Sequence, residues 1–336
     1  MKKYMKSGIC FFVVWFLLLE IISRRFIVNH AFFSTYDEID RLNYAFSRRT
    51  IVPEVVYLGS SKTQADVATI TIASNLGLPL EAVLNASVAA ASPREMLYIY
   101  TINEQLFRSA RVVYINVDLW MFNKHFQMAE KNGPPAWRRS AGLMERIEFS
   151  SDLTTKADWI LGWAIATWDQ RATWRSLWRS WLRNPWTHNV APVYDCFGRP
   201  VQDYLIGEHP FLSQMLEEEA PQIVNSHMQS YAFNSDALLA LEALVFLVRA
   251  NGAEPVLLKM PAAPQYMEYQ RANFSAFDFV WQKLSARFPG VDILDLPSEA
   301  AQLERDDWWD AYHLTRVGAM KMAIPLAEDL RKRLGP

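Results

Sequence analysis

Val55-Val-Tyr-Leu58, followed at once by Gly59-Ser60-Ser61 and then Lys62-Thr63-Gln64, reads as a short buried strand broken sharply into a helix. Similar runs, rich in Val, Ile and Leu and bounded by Pro, Gly, Asn or Asp, recur at Ala82–Asn85, Val112–Val117, Pro255–Lys259 and Val291–Leu294. Helical patterns separate them at Pro93–Phe107, Asp236–Ala250 and roughly Tyr266–Phe288. A closing helix begins near Thr315, a good N-cap, with Pro325 expected to kink or restart it. Strands alternating with helices indicate a parallel sheet covered on both faces. The expected fold is therefore α/β, a three-layer sandwich around a five-stranded parallel sheet.

At the other end of the chain, Asp310-Ala-Tyr-His313 directly precedes that closing helix. A hydroxyl on a strand-to-helix turn and a histidine with its own carboxylate are the components of an acyl-transfer site. An open parallel sheet can bring them together, because the carboxyl ends of its strands gather on one edge. Each motif alone is weak: Gly-Ser-Ser also occurs in ordinary turns, where serine merely caps a helix, and Asp-x-x-His also occurs in surface turns. Their order in the chain gives them weight. The serine follows the first strand and the histidine precedes the last helix.

The chain has 336 residues, a formal net charge of −2 and 51% hydrophobic residues. That is enough for one large α/β domain with insertions or for two smaller domains, and it argues against disorder and against a nucleic-acid footprint. The opening Met1-Lys-Lys-Tyr-Met-Lys6 is basic, an apolar run extends from Ile9 to Ile22 with Glu20 as its one interruption, and Ser23-Arg24-Arg25 closes it. This layout, without small residues at a cleavage site, indicates an uncleaved signal anchor over residues 1–25 with the rest of the chain outside the cytoplasm. Residues 26–50 read as a linker and 51–335 as the α/β domain, with an insertion at about 122–234. Cys10 and Cys196 cannot form a disulfide framework, no metal-ligand spacing is present, and no cofactor is implied.

The strand–helix alternation breaks between about 122 and 234. This insertion holds two Pro-Gly-rich loops, Asn132-Gly-Pro-Pro135 and Cys196-Phe-Gly-Arg-Pro200, and the tryptophans Trp159, Trp163, Trp168, Trp174, Trp178, Trp181 and Trp186. Arg171, Arg175, Arg179 and Arg183 interleave with them at helical spacing. Three readings stand: packing against the main domain, a membrane-interface helix, or a platform for sugar rings.

Four blocks, in order, resemble the SGNH (GDSL-like) hydrolase superfamily, whose flavodoxin-like fold matches the one expected. Leu58-Gly-Ser-Ser-Lys62 is similar to the Gly-Asp-Ser-Leu block and makes Ser61 the nucleophile. Asn85-Ala-Ser-Val-Ala-Ala90 is similar to Asn-x-x-x-x-Gly, Val113-Tyr-Ile-Asn-Val-Asp118 to the block ending in Gly-x-Asn-Asp, and Asp310-Ala-Tyr-His313 to Asp-x-x-His. Ser92-Pro-Arg-Glu95 and Met260-Pro261 look like the membrane-anchored bacterial branch, which includes alginate O-acetylation proteins and the D-alanyl-lipoteichoic acid transfer protein. The resemblance covers roughly 50–120 and 230–335 and leaves the insertion outside.

It implies a Ser61–His313–Asp310 triad and an oxyanion hole at Ser61, Ala90 and the Asn116–Asp118 loop. Three positions depart from the pattern: Ser60 for Asp, Ala90 for Gly, and Asp118 for Asn. Ala90 can supply its backbone N–H where φ is negative. Asp118 is more serious, since an ionised carboxylate cannot donate. Either it is structural, or Asn116 donates, or backbone groups alone form the hole. The implied function is O-acylation, chiefly O-acetylation, of an exported polysaccharide or cell-envelope polymer, with a multi-spanning membrane acyltransferase as a further partner. The alternatives are an esterase deacylating such a polymer, or an inactive scaffold subunit of a polysaccharide export complex. The N-terminal layout also predicts that the mature protein retains its first residues; sequencing that finds a processed N-terminus downstream of Ser23 would refute the anchor.

Overall fold

The computed structural model describes residues 2–24, 46, 52–126, 143–148, 153–169, 215–274 and 276–335. Along the chain, α1 (Lys2–Ile22) precedes β1 (Val55–Leu58), α2 (Ser61–Asp66), α3 (Thr69–Leu76) and β2 (Val83–Asn85). Then come α4 (Pro93–Ile102), α5 (Glu104–Phe107), β3 (Val112–Asn116), α6 (Leu143–Glu148), α7 (Leu153–Ala164) and α8 (Ala166–Asp169). The last part runs α9 (Leu216–Met228), α10 (Ser235–Ala250), β4 (Glu254–Lys259), α11 (Pro264–Asn273), α12 (Ala276–Arg287), β5 (Asp292–Asp295) and α13 (Arg316–Leu334). The chain divides into two compact units, residues 1–44 with 129–193, and 45–128 with 194–336.

The larger unit is an α/β fold built on a five-stranded, all-parallel sheet in the order β2-β1-β3-β4-β5. All four residues of β1 and all five of β3 are buried, so these central strands need apolar side chains on both faces. The chain moves from β1 outward to β2, then back past β1 to β3 and on in one direction. Right-handed crossovers place the β1–β2 helices on one face and those leading to β3, β4 and β5 on the other. The packing follows this division: α3 contacts α13, and α4 contacts α10. That is the arrangement of a three-layer sandwich. The reversal between β1 and β3 is a topological switch point, where open sheets of this kind hold their ligands.

The strands fall where the apolar runs predicted, but two helical expectations need correction. Pro93–Phe107 is broken at Asn103, whose side-chain amide donates to Ile99 O at 2.9 Å. Tyr266–Phe288 divides into α11 and α12. Pro325 lies inside a single helix and does not split α13 into two elements; buried Met322, Ala323, Leu326 and Ala327 hold that stretch against the core. The proline forfeits one backbone bond, which this packing offsets. The end of the presumed insertion also belongs to the main unit, where α9 packs against α11.

In the smaller unit, Glu20 of α1 accepts hydrogen bonds from Ala166 N (2.8 Å), Thr167 N (2.9 Å) and Thr167 Oγ1 (2.9 Å). Arg24 donates to Glu20 at 2.8 Å and to Ala164 O at 2.7 Å. The one acid in the apolar run is therefore fully engaged at the α7–α8 break. Phe11, Val13, Val14, Trp15, Leu17 and Ile21 of α1 are exposed. Among the described residues, no helix is long and apolar enough to cross a membrane. Trp163 is half exposed. Trp174, Trp178, Trp181 and Trp186, the interleaved arginines and both Pro-Gly loops lie outside the described residues, as does the 26–50 linker except Phe46.

Gly59 ends β1 in a space with no room for a side chain. A Cβ there would lie 2.1 Å from Thr63 Oγ1 and 2.8 Å from the Asn116 Cβ. Gly59→Ala is therefore expected to destabilise the fold by about 1–3 kcal/mol through overpacking. Urea unfolding of variant and wild type measures it, and equal midpoints would contradict the close approach.

Candidate active site

The turn after β1 presents two adjacent hydroxyls in opposite surroundings. Ser60 is completely buried, and its Oγ has no hydrogen-bond partner. Ser61, the first residue of α2, is half-buried. Its Oγ lies 2.9 Å from His313 Nε2, across 252 residues of sequence. The two expected ends of the chain thus meet at the carboxyl edge of the sheet.

The Asp-x-x-His spacing has a local cause. Asp310 Oδ1 accepts the backbone N–H of Tyr312 at 2.6 Å and of His313 at 2.7 Å, which closes the loop. Its other oxygen, Oδ2, lies 2.8 Å from His313 Nδ1. One carboxylate therefore shapes the loop and orients the ring. Because an ionised carboxylate only accepts, it fixes the neutral imidazole proton on Nδ1 and leaves the Nε2 lone pair for Ser61. Around the loop, Trp308 bridges Leu314, and Trp309 N donates to His313 O at 2.9 Å.

Electrostatics reinforce this geometry. Burial opposes charge on His313, but the hydrogen bond to Asp310 and the charges of Asp310 and Asp66 outweigh it and raise its pKa. Burial likewise opposes charge on Asp310, yet His313 and the two backbone N–H donors prevail and hold its pKa below the ordinary value. The pair suits a general base with a stabilised imidazolium.

The expected oxyanion residues diverge. Asn116, the last residue of β3, is buried, and its amide donates to Leu258 O at 3.2 Å across the β3–β4 pair. One of its two amide N–H groups is thus committed to the sheet. Asp118 Oδ1 lies 3.7 Å from the ammonium of buried Lys62, so it acts as that cation's counter-charge rather than as a donor. Ala90 has φ +57°, not the negative value that alanine prefers. It sits in a turn in which Ala91 N donates to Val88 O at 3.1 Å, so the left-handed backbone that usually calls for glycine is kept here by alanine.

Several residues at the site carried no recognisable sequence signal. Lys62 lies 4.1 Å from the Tyr312 ring centroid, so its charge is enclosed by an aromatic face and Asp118. Tyr312 OH accepts from Trp120 Nε1 at 2.6 Å. His227 Nδ1 lies 2.9 Å from Tyr266 OH, and burial, then Lys62 and His313, lower its pKa to about 3, keeping it neutral. Asn85 donates to Thr63 O at 2.8 Å and so ties β2 to the nucleophile helix. Its place in the second block was visible, but its partner was not. Ser92 and Glu95 form a capping box that starts α4, a structural role for the Ser-Pro-Arg-Glu motif.

Among the described residues no cluster of His, Cys, Asp or Glu could hold a metal ion. No protein-family model matches the chain, and no curated protein matches it.

Only neutral His313 can accept the Ser61 proton, so reaction of Ser61 with a fluorophosphonate is expected to fall as pH drops. With the imidazole raised above its ordinary 6.5, the midpoint should lie above that value. A rate–pH profile reads it directly, and a midpoint at or below 6.5 would contradict the carboxylate-supported base.

Proposed function

We propose that this chain is a serine-dependent O-acyltransferase of the SGNH type, acting on an exported polysaccharide or cell-envelope polymer. The observation that carries the reading is the continuous contact from Ser61 Oγ to His313 Nε2 at 2.9 Å and from His313 Nδ1 to Asp310 Oδ2 at 2.8 Å. A nucleophile, its base and the orienter of that base are within hydrogen-bond reach in the right order. The position of Ser61 after the first strand of a parallel sheet, at the switch point, supports it further.

In the proposed reaction, Ser61 Oγ attacks the acyl carbonyl while its proton passes to His313 Nε2. The tetrahedral intermediate collapses as the leaving oxygen takes that proton, giving an acyl-Ser61 ester. A polymer hydroxyl then attacks this ester, giving its proton to Nε2, and Ser61 recovers the proton as the product leaves. Asp310 stabilises the imidazolium in both halves. Backbone N–H groups at Ser61 and Ala90 are the proposed oxyanion donors, since the side chains of Asn116 and Asp118 are engaged elsewhere. Half-buried Trp309, its ring centroid 6.0 Å from that of His313, offers an aromatic face on which a sugar ring can stack.

The proposal also has the catalytic unit outside the cytoplasm, held to the membrane through α1. The basic N-terminal flank and the exposed apolar side chains of α1 support this. The same triad can pass the acyl group to water, so esterase action on such a polymer is the second reading.

A fluorophosphonate probe on the full-length protein tests the nucleophile. Labelling is expected in wild type and in Ser60→Ala, whose hydroxyl is buried, and should be lost in Ser61→Ala. Absence of labelling in folded wild type would remove the enzyme reading and leave a scaffold subunit.

A further inference from the structure

Asp66 is the one acid of α2, five residues after Ser61, and it is completely buried. It belongs to no element of the triad. Its Oδ1 accepts the backbone N–H of Leu314 at 2.8 Å, the residue immediately after His313, while Oδ2 is buried without a hydrogen-bond partner. A buried carboxylate with a vacant oxygen is expensive, so its retention calls for a compensating role. The charged groups acting on it are Lys62 from its own helix and His313 and Asp310 from the 308–314 loop. The face that α13 buries carries no titratable side chain.

We propose that Asp66 is a second carboxylate of the site, a positioning residue that pins the His313 loop to the nucleophile helix and makes the imidazole more basic. Two features carry this. The Leu314-to-Asp66 bond is a direct tie between the two chain segments that supply Ser61 and His313. The negative charge, buried and bonded to the backbone of the residue next to His313, favours the imidazolium, as Asp310 does from Nδ1. Asp66 touches no reacting atom and acts through His313.

Burial pushes the Asp66 carboxyl up to about 7, with His313, the Leu314 N–H and Lys62 pulling the other way. Its charge is thus present above that pH and lost below it. Protonation preserves the Leu314 bond but withdraws the support for the imidazolium, so the two groups titrate as a coupled pair.

The inference rests on the acyl-transfer reading, and its test separates the two. In the full-length chain, Asp66→Asn retains an acceptor for Leu314 N–H and removes only the charge. The acid limb of the fluorophosphonate labelling profile should move down by about 0.5–1 pH unit. Asp66→Ala, which also removes the pin, should lower the plateau rate by about tenfold. An unshifted acid limb in Asp66→Asn would overturn the proposal. Should Asp66→Asn not fold, NMR of the His313 ring in wild type decides: two inflections are expected, one from the ring and one from Asp66, and a single inflection overturns it. Because the NMR titration needs no turnover, absence of labelling beside a two-step ring titration would sink the acyl-transfer reading while leaving the Asp66–His313 coupling intact.

Discussion

The two oxygens of Asp310 set the constraint on which this site depends. Oδ1 is spent on the backbone of its own loop and Oδ2 on the imidazole of His313. Were the turn closed by other groups, ring and carboxylate could drift apart in sequence. Because one side chain does both, Asp and His must stand three positions apart and the loop must curl between them. The loop is tied at its far end as well: Thr315 N donates to Asp307 O at 2.8 Å, and the missing Cβ of Gly318 lets α13 approach that same carbonyl. Thr315, in turn, caps α13 through Gly318 N. Helix start, loop closure and imidazole orientation form one hydrogen-bonded assembly.

Charge is the second constraint, since the site buries one ammonium among several carboxylates. Lys62 and Asp118 attract by about 4 kcal/mol at their separation if the effective dielectric is near 20. Desolvating both consumes much of that, so the pair gives little net stability. Its value lies in balance. Without Lys62, Asp118 would lose its counter-charge, and the pull that lowers the Asp66 carboxyl pKa would weaken. The aspartate at 118 is thus balanced by the lysine that directly follows Ser61.

The middle of the sheet was legible because β1 and β3 are buried along their whole length, and such strands appear as uninterrupted apolar runs. Val55-Val-Tyr-Leu58 and Val112–Val117 needed only that rule. Ser61, Asp310 and His313 were legible because two local motifs met a topology that brings strand ends together. What escaped depends on contacts between distant segments. Nothing in the local sequence tells that Asn116 bonds across to Leu258, that the Asp66 carboxylate meets Leu314, or that His227 reaches Tyr266. The left-handed φ at Ala90 was not legible for a related reason: it belongs to the turn that Val88 and Ala91 close, and alanine there tolerates a cost that glycine would avoid.

These same long-range contacts bear on whether the site is active or decayed. A scaffold that no longer needs chemistry has no reason to leave Ser61 half open while sealing Ser60, to hold His313 in the tautomer that faces Ser61, or to bury Asp66 with an unsatisfied oxygen. Each of these costs stability that a purely structural core would recover by relaxing to apolar side chains. A marginally stable domain does not readily carry several such costs in one place without use. Cost concentrated around one serine therefore weighs toward the proposed chemistry, with the rings of Tyr312 and Trp309 beside His313.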